Sequence, residues 1–252
     1  MRRIALVLVT FALLAFAGRA EAITWSEGTT ECPVCKQTVP VQRVASYGSY
    51  VYRYPSKYQL VFWPHTDIYS WYFCPGCHYS AFMGDFAKLP ADKVKAVAAA
   101  VAKLKKPQPD KRYHEISIAY RLQIVEAVSK VLGRDDLYFC HFERVHGYHL
   151  QKLGQKEAAK AARLRSLALA QKLLKADAPE PTKKELTFLI GALQHFTGQK
   201  AEALATLARV PKAPVEPRGK MKEEQQKSFG QYIDELAKSL SEMIQKDEKV
   251  PE

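Results

Sequence analysis

The chain contains the pattern Cys-Pro-x-Cys twice, as Cys32-Pro33-Val34-Cys35 and Cys74-Pro75-Gly76-Cys77, with 38 residues between the two copies. A tight turn with two thiolates can supply half of a tetrahedral metal site, and two such turns complete it. The pattern therefore predicts one bound metal ion with four ligands, which are Cys32, Cys35, Cys74 and Cys77. Zinc suits four thiolates best and would be structural, and iron fits the same geometry.

The first 22 residues have the pattern of a secretory signal peptide. Arg2 and Arg3 form its basic region, residues 4–16 form an apolar run, and Ala20-Glu21-Ala22 offers a cleavage site. The apolar run is shorter than the roughly 20 residues that a membrane-spanning helix needs. We therefore expect an exported protein, periplasmic or secreted, that is not transmembrane after cleavage.

The formal net charge is +12, so the chain should attract negatively charged partners. Arg2, Arg3, Arg19 and Glu21 contribute +2 in the predicted signal, so the mature chain keeps 12 − 2 = +10. Export argues against nucleic acid and leaves anionic lipids, envelope polymers or acidic proteins. A solvated basic surface that keeps the protein soluble is the simpler interpretation of most of this charge.

Two alternatives to a structural metal remain open for the paired cysteines. Cys74-Pro75-Gly76-Cys77-His78 also satisfies the attachment pattern of c-type haem, with His78 as the proximal ligand, although that reading gives no reason for the first cysteine pair. Exported thiols also form disulfides or exchange electrons as dithiols. The rival function is thus a periplasmic redox protein.

The composition divides the mature chain into three parts. Residues 23–88 are aromatic and strand-like, with short strands expected at residues 50–52, 59–63 and 68–73. Residues 89–212 have helical patterns. Residues 213–252 contain an amphipathic helix, from about Met221 to Gln245, that is suited to covering the end of a helical stack. The predicted helices before it span residues 91–106, 113–132, 136–153, 156–176, 183–197 and 201–209.

Two helical hairpins share a pattern of small residues with a period of 44. Gly147, Gly154 and Ala159 are spaced as are Gly191, Gly198 and Ala203. The first glycine allows close helix approach, the second makes a turn, and the alanine permits tight packing. This spacing is typical of tetratricopeptide repeats, although their usual period is about 34.

Three patches resemble an uncharacterised bacterial family, domain-of-unknown-function family 2225. They are Glu31–Cys35, Tyr69–Phe82, and Leu189–Leu193 with Gly198 and Ala203. The resemblance implies a paired Cys-Pro-x-Cys module followed by tetratricopeptide-like helices, and it implies no activity. Lys36 and His78 stand where such a family commonly has a glycine after each cysteine turn.

The remaining candidate residues carry weaker chemistry. Cys140, Glu143, His146 and His149 recur every three residues, but that spacing drifts around a helix, and we expect Cys140 to be a buried apolar residue. The motifs of serine hydrolases, phosphate-binding loops and zinc proteases are absent from the sequence. We therefore expect no enzyme activity.

Together these observations predict an α+β fold, mostly α. A small β-rich, zinc-ribbon-like module would precede a tetratricopeptide-like stack of helical hairpins. The expected function is an exported, metal-stabilised interaction or adaptor protein that binds an unidentified protein or peptide through its helical repeats. The oligomeric state is left open.

Overall fold

The computed structural model describes residues 23–48, 55–107, 111–176, 182–215 and 222–251. The predicted signal peptide and the expected strand at residues 50–52 lie outside these residues. The fold is α+β and mostly helical, as predicted. The strands are β1 (Ile23–Glu31), β2 (Thr38–Tyr47), β3 (Trp71–Phe73) and β4 (Ser80–Phe82). The helices are α1 (Val94–Ala102), α2 (Ile118–Val131), α3 (Asp136–Lys152), α4 (Lys156–Lys175), α5 (Lys183–Phe196), α6 (Lys200–Leu207) and α7 (Glu223–Gln245).

The four strands form two antiparallel hairpins. In the first, Ile23 pairs with Tyr47 and Glu31 with Thr38, with one irregularity after Thr24. In the second, Trp71 pairs with Phe82. Each Cys-Pro-x-Cys pattern lies in the loop that joins the two strands of a hairpin. Both hairpins therefore have their cysteines at the end where the chain turns.

Helices α1 and α2 cover the two hairpins. One hydrophobic core joins Val39 and Phe73 from the strands to Val97 on α1 and Ile124 on α2. A module of two short hairpins buries little apolar surface by itself, so these helices supply much of its core. This core thus contains residues from both sides of residue 88, where a domain boundary was predicted. The boundary itself stays a prediction.

Helices α3 to α7 form the second half of the fold. Consecutive helices from α3 to α6 pack against each other, and α7 packs on α5 and α6. Capping side chains define two of the starts: Asp135 accepts a hydrogen bond from the Tyr138 backbone N–H, and Thr182 accepts one from the Glu185 N–H. Gly154 and Gly198 have positive φ angles of 74° and 91°, which suit glycine at a helix end.

The predicted pattern of small residues has matching contacts in the two hairpins. A Cβ atom on Gly147 would lie 3.1 Å from Arg163, and one on Gly191 would lie 2.8 Å from Leu207. Arg163 and Leu207 are again 44 residues apart, so the two hairpins use equivalent contacts. Their assignment as tetratricopeptide repeats stays a prediction.

The expected strand at residues 59–63 is wrong. Pro55–Gln59 forms a 3₁₀ helix, and Leu60 has a positive φ of 50°. The apolar side chains of this segment are buried among helices instead of pairing with a strand: Tyr58 and Leu60 join the core with α5 and α7, and Val61 packs against α2 and α3. The expected strand at residues 68–73 is reduced to β3, after a 3₁₀ turn at Ile68–Ser70.

None of the described helices combines the length and the hydropathy that a bilayer-spanning helix requires.

Candidate metal centre

The two cysteine loops have the same backbone hydrogen bonds. In the first, the Cys32 N–H donates to the Gln37 carbonyl at 2.9 Å, and the Lys36 N–H donates to the Cys32 carbonyl at 2.9 Å. In the second, the corresponding bonds join Cys74 to Tyr79 and His78 to Cys74, both at 2.8 Å. Proline after the first cysteine fixes φ at a value that favours such a turn. We call these loops, residues 32–37 and 74–79, the two knuckles.

The fifth residue of each knuckle has a left-handed backbone conformation. Lys36 has φ 63° and His78 has φ 68°, and these are the positions at which the resemblance implies glycine. The left-handed geometry is therefore present without glycine. A residue with a Cβ atom pays roughly 1–2 kcal/mol for this conformation.

The four predicted ligands converge. Their sulfur atoms all lie within 4.8 Å of one another. Two pairs join the two knuckles: Cys32 Sγ lies 3.5 Å from Cys77 Sγ, and Cys35 Sγ lies 3.5 Å from Cys74 Sγ. Zinc–sulfur bonds of about 2.3 Å in a tetrahedron place the sulfurs about 3.8 Å apart. The cluster therefore has the size and donor type of a site for one thiolate-bound ion.

The pKa values of the clustered thiols differ widely because they share hydrogen bonds. Hydrogen bonding with Cys32 first, and with Cys77 second, lowers the pKa of Cys74. The bond to Cys74 raises the pKa of Cys32 to about 12, and the bond to Cys32 raises that of Cys77. A cation between the sulfurs would favour the thiolate form of its ligands.

The surroundings of the sulfurs fit a structural metal. Cys32 and Cys74 are fully buried, and Cys35 and Cys77 are half-buried. The backbone N–H groups of Val34 and Cys35 approach the Cys32 sulfur, and that of Cys77 approaches Cys74. Such N–H groups stabilise thiolates. Four cysteines complete a tetrahedral shell and leave no position for a reactive water.

His78 is committed to packing outside the sulfur cluster. Its side chain is 4% exposed, its Nδ1 atom lies 2.8 Å from the Tyr120 hydroxyl, and its ring contacts Phe73. Burial lowers its pKa. An axial haem ligand needs a ring nitrogen that faces the iron, whereas this ring is held against α2. The arrangement therefore favours a metal held by four cysteines over haem attachment.

The sequence interpretation missed Tyr120, which joins the second knuckle to the helical cover. Its hydroxyl contacts His78, donates to the Leu104 carbonyl and accepts from the Lys106 N–H. Lys105 donates to the Gly76 carbonyl at 3.0 Å. The histidine in place of an expected glycine was the only sequence signal of this contact.

The second candidate cluster does not form. Cys140 is 1% exposed and contacts Ser166, as expected for a buried small residue. Glu143 accepts two hydrogen bonds of 2.7 Å from Arg165. His149 Nε2 lies 2.8 Å from the His65 carbonyl. Within the described parts of the chain, the paired cysteines form the one group of three or more metal-ligand side chains that converge.

Comparison with known proteins gives one match. Residues 25–132 match the family described as an uncharacterized protein conserved in bacteria, DUF2225. No curated protein and no solved structure matches the chain. The match contains both knuckles, β1 to β4, α1 and α2, and it ends before the third patch of the resemblance, at Leu189–Leu193. Over residues 25–132 the predicted resemblance is therefore confirmed, and this part of the chain is similar to the DUF2225 family.

Proposed function

We propose that the protein is an exported, non-catalytic interaction protein whose front half is stabilised by one structural zinc ion. The observation that carries this proposal is the convergence of Cys32, Cys35, Cys74 and Cys77 within 4.8 Å. Burial of two of these cysteines and the closed four-sulfur shell support a structural role over a catalytic one. The helical half would bind a protein or peptide.

Zinc would act by joining the two hairpins. Each hairpin has two strands and is marginal by itself, and metal binding contributes folding free energy where the ligands come together only in the folded state. The four sulfurs come from loops 38 residues apart, so the ion would close a long loop. Loss of one ligand would remove this link.

Metal analysis tests the zinc site. We expect one equivalent of zinc per chain in the purified mature protein, and Cys32→Ala and Cys74→Ala should lose the metal and unfold the front half. Cys140→Ala is the matched control, because Cys140 is equally buried but lies away from the cluster; it should keep the metal. Native stability of both knuckle variants, with no metal in the parent, would contradict the proposal.

Absorption spectroscopy separates the redox alternative. Protein made in a host that matures c-type cytochromes should be colourless and show four reactive thiols after zinc is removed by a chelator. A Soret band would indicate haem at Cys74 and Cys77, and fewer than four thiols would indicate disulfides. Cell fractionation that finds the protein and its uncleaved leader in the cytoplasm would contradict export.

A further inference from the structure

A basic groove lies on the helical half, away from the cysteines. The end of α3, the first two turns of α4 and the tail after α7 enclose about 860 Å³. This volume is in the range of pockets that hold ligands of drug size, so it suits a few residues of a peptide. The basic side chains that line the groove are Lys152, Lys156, Lys160, Arg163 and Lys249.

Basic side chains outnumber acidic ones among the residues that line the groove. Glu157 is the one carboxylate among the lining residues, which gives 5 − 1 = +4. Within the described ranges, the four lysines of the groove form no salt bridge. Other lysines of the helical half are paired, such as Lys172 with Asp136 at 2.6 Å and Lys184 with Asp234 at 2.6 Å. The groove is therefore one place in the described part of the chain where several lysines without a salt bridge lie together.

Two residues of the groove differ from the residues at the equivalent positions of the second hairpin, 44 positions later in the chain. Arg163 is the counterpart of Leu207, which lies in an apolar core. Lys156 is the counterpart of Lys200, which is paired with Asp247. In the first hairpin, the guanidinium of Arg163 thus takes the place of an apolar side chain. Among the described residues, Lys156 has no carboxylate partner like the one that Lys200 has in the second hairpin.

Arg163 and Phe196 give the groove a mixed base. Arg163 is 2% exposed, its Nε donates to Gln59 at 2.9 Å, and its guanidinium lies 5.1 Å from the centre of the Phe196 ring. The amino end of α4, a helix of 20 residues, adds its partial positive charge. A buried charge below exposed lysines is screened less than a surface charge.

We propose that this groove binds a short acidic peptide segment of a partner protein. Carboxylates would contact Lys156 and Lys160, and an apolar side chain would lie against Phe196. A recessed groove suits a narrow chain, whereas a bilayer surface requires a flat or protruding basic patch. This inference rests on the proposed interaction function and names the chemistry of the partner.

Fluorescence anisotropy tests the groove. The probe is a labelled peptide of six glutamates and one phenylalanine, and its counterpart replaces every glutamate by glutamine. We expect the mature protein to bind the acidic peptide only, with an affinity that falls as salt rises. Lys156→Gln with Lys160→Gln should weaken binding about tenfold, because two charges at the contact are lost.

Matched variants separate the groove from the general basic charge. Lys227→Gln with Lys238→Gln removes two exposed lysines from α7, outside the groove, and should leave the affinity unchanged. Equal loss in both double variants, equal binding of the glutamine peptide, or stronger binding to anionic phosphatidylglycerol vesicles would each overturn the inference. Zinc content is measured on the same samples: zinc without peptide binding removes only this inference, and peptide binding without zinc removes only the metal part of the proposed function.

Discussion

Lys36 and His78 occupy equivalent left-handed positions in the two knuckles, but their side chains have different surroundings. Lys36 is exposed and forms a surface ion pair with Glu31 at 3.4 Å. His78 is buried and contacts Tyr120. Packing therefore offsets the cost of the left-handed conformation at His78 but not at Lys36.

Glycine at these two positions should have opposite effects. Lys36→Gly should stabilise the protein by about 0.5–1 kcal/mol, because relief of the left-handed strain exceeds the added freedom of the unfolded chain. His78→Gly should destabilise it by about 1–2 kcal/mol, because the loss leaves a cavity and an altered Tyr120 bond. Urea denaturation of the two zinc-loaded variants measures both, and a stabilising His78→Gly would show that the contact to Tyr120 contributes little.

The sequence was sufficient to identify the sulfur cluster at the residue scale. Two Cys-Pro-x-Cys turns predicted four converging sulfurs, and the side chains do converge. The contact between His78 and Tyr120 was not predictable, because histidine and tyrosine, unlike paired cysteines, share no motif that indicates a contact. Neither residue has a local pattern that indicates the other.

At the scale of elements, the close contact between α5 and α6 depends on a glycine. A Cβ atom on Gly191 would lie 2.8 Å from the Leu207 side chain and 3.3 Å from its backbone nitrogen. Leu207 is 2% exposed and its neighbours prevent it from moving away. The helices could accept a methyl group only by separating.

Gly191→Ala should therefore destabilise the protein by about 1–2 kcal/mol, although alanine favours a helix by about 1 kcal/mol. Leu207→Ala should cost about 2–4 kcal/mol as a cavity. In the double variant the methyl group enters that cavity, so the combined loss of unfolding free energy should be smaller than the sum. Additive losses in thermal or urea unfolding would exclude the clash as the cause.

The helices were predicted more accurately than the strands for a physical reason. Repeating apolar positions and glycine turns gave α3, α4 and α5 to within one residue at each end. The segment at residues 59–63 has a strand-like composition, yet its partners are helices far along the chain. Hydrophobic composition indicates that such a segment is buried, but tertiary packing determines which elements it contacts.

At the scale of the whole molecule, buried and half-buried histidines lie at the contact between the two halves. His65 precedes β3 and contacts the His141 ring on α3, and the His65 carbonyl lies 2.8 Å from His149 Nε2. Burial, reinforced by Arg144, lowers the pKa of His65 to about 4. Burial also lowers the pKa of His149 to about 4, where Arg121 and His146 add further positive charge.

Acid should weaken this contact. Histidine in the unfolded chain has a pKa of about 6.5. Between about pH 6.5 and pH 4 the unfolded state therefore binds more protons than the folded state. The free energy of unfolding should be highest above that range and fall as the pH falls through it. Urea denaturation at pH 7 and pH 5 measures the loss.

His149→Gln separates this effect from acid release of the metal. Glutamine can donate to the His65 carbonyl but does not titrate, so the variant should lose less stability than the parent between pH 7 and pH 5. Both proteins contain the same cysteines, and the difference between them excludes the thiols. An identical loss in parent and variant would remove His149 as a source of the pH dependence.

The segment that begins at Ser56 has a consequence for how the protein can be divided. Arg144 on α3 donates to the Gln59 carbonyl, and Arg163 on α4 donates to the Gln59 side chain. A chain cut after residue 107 would leave two buried guanidinium groups without this acceptor, which is costly in a dry interior. We therefore expect the metal module and the helices to be more stable in one chain than as separate fragments, because Gln59 of the first half binds both arginines of the second.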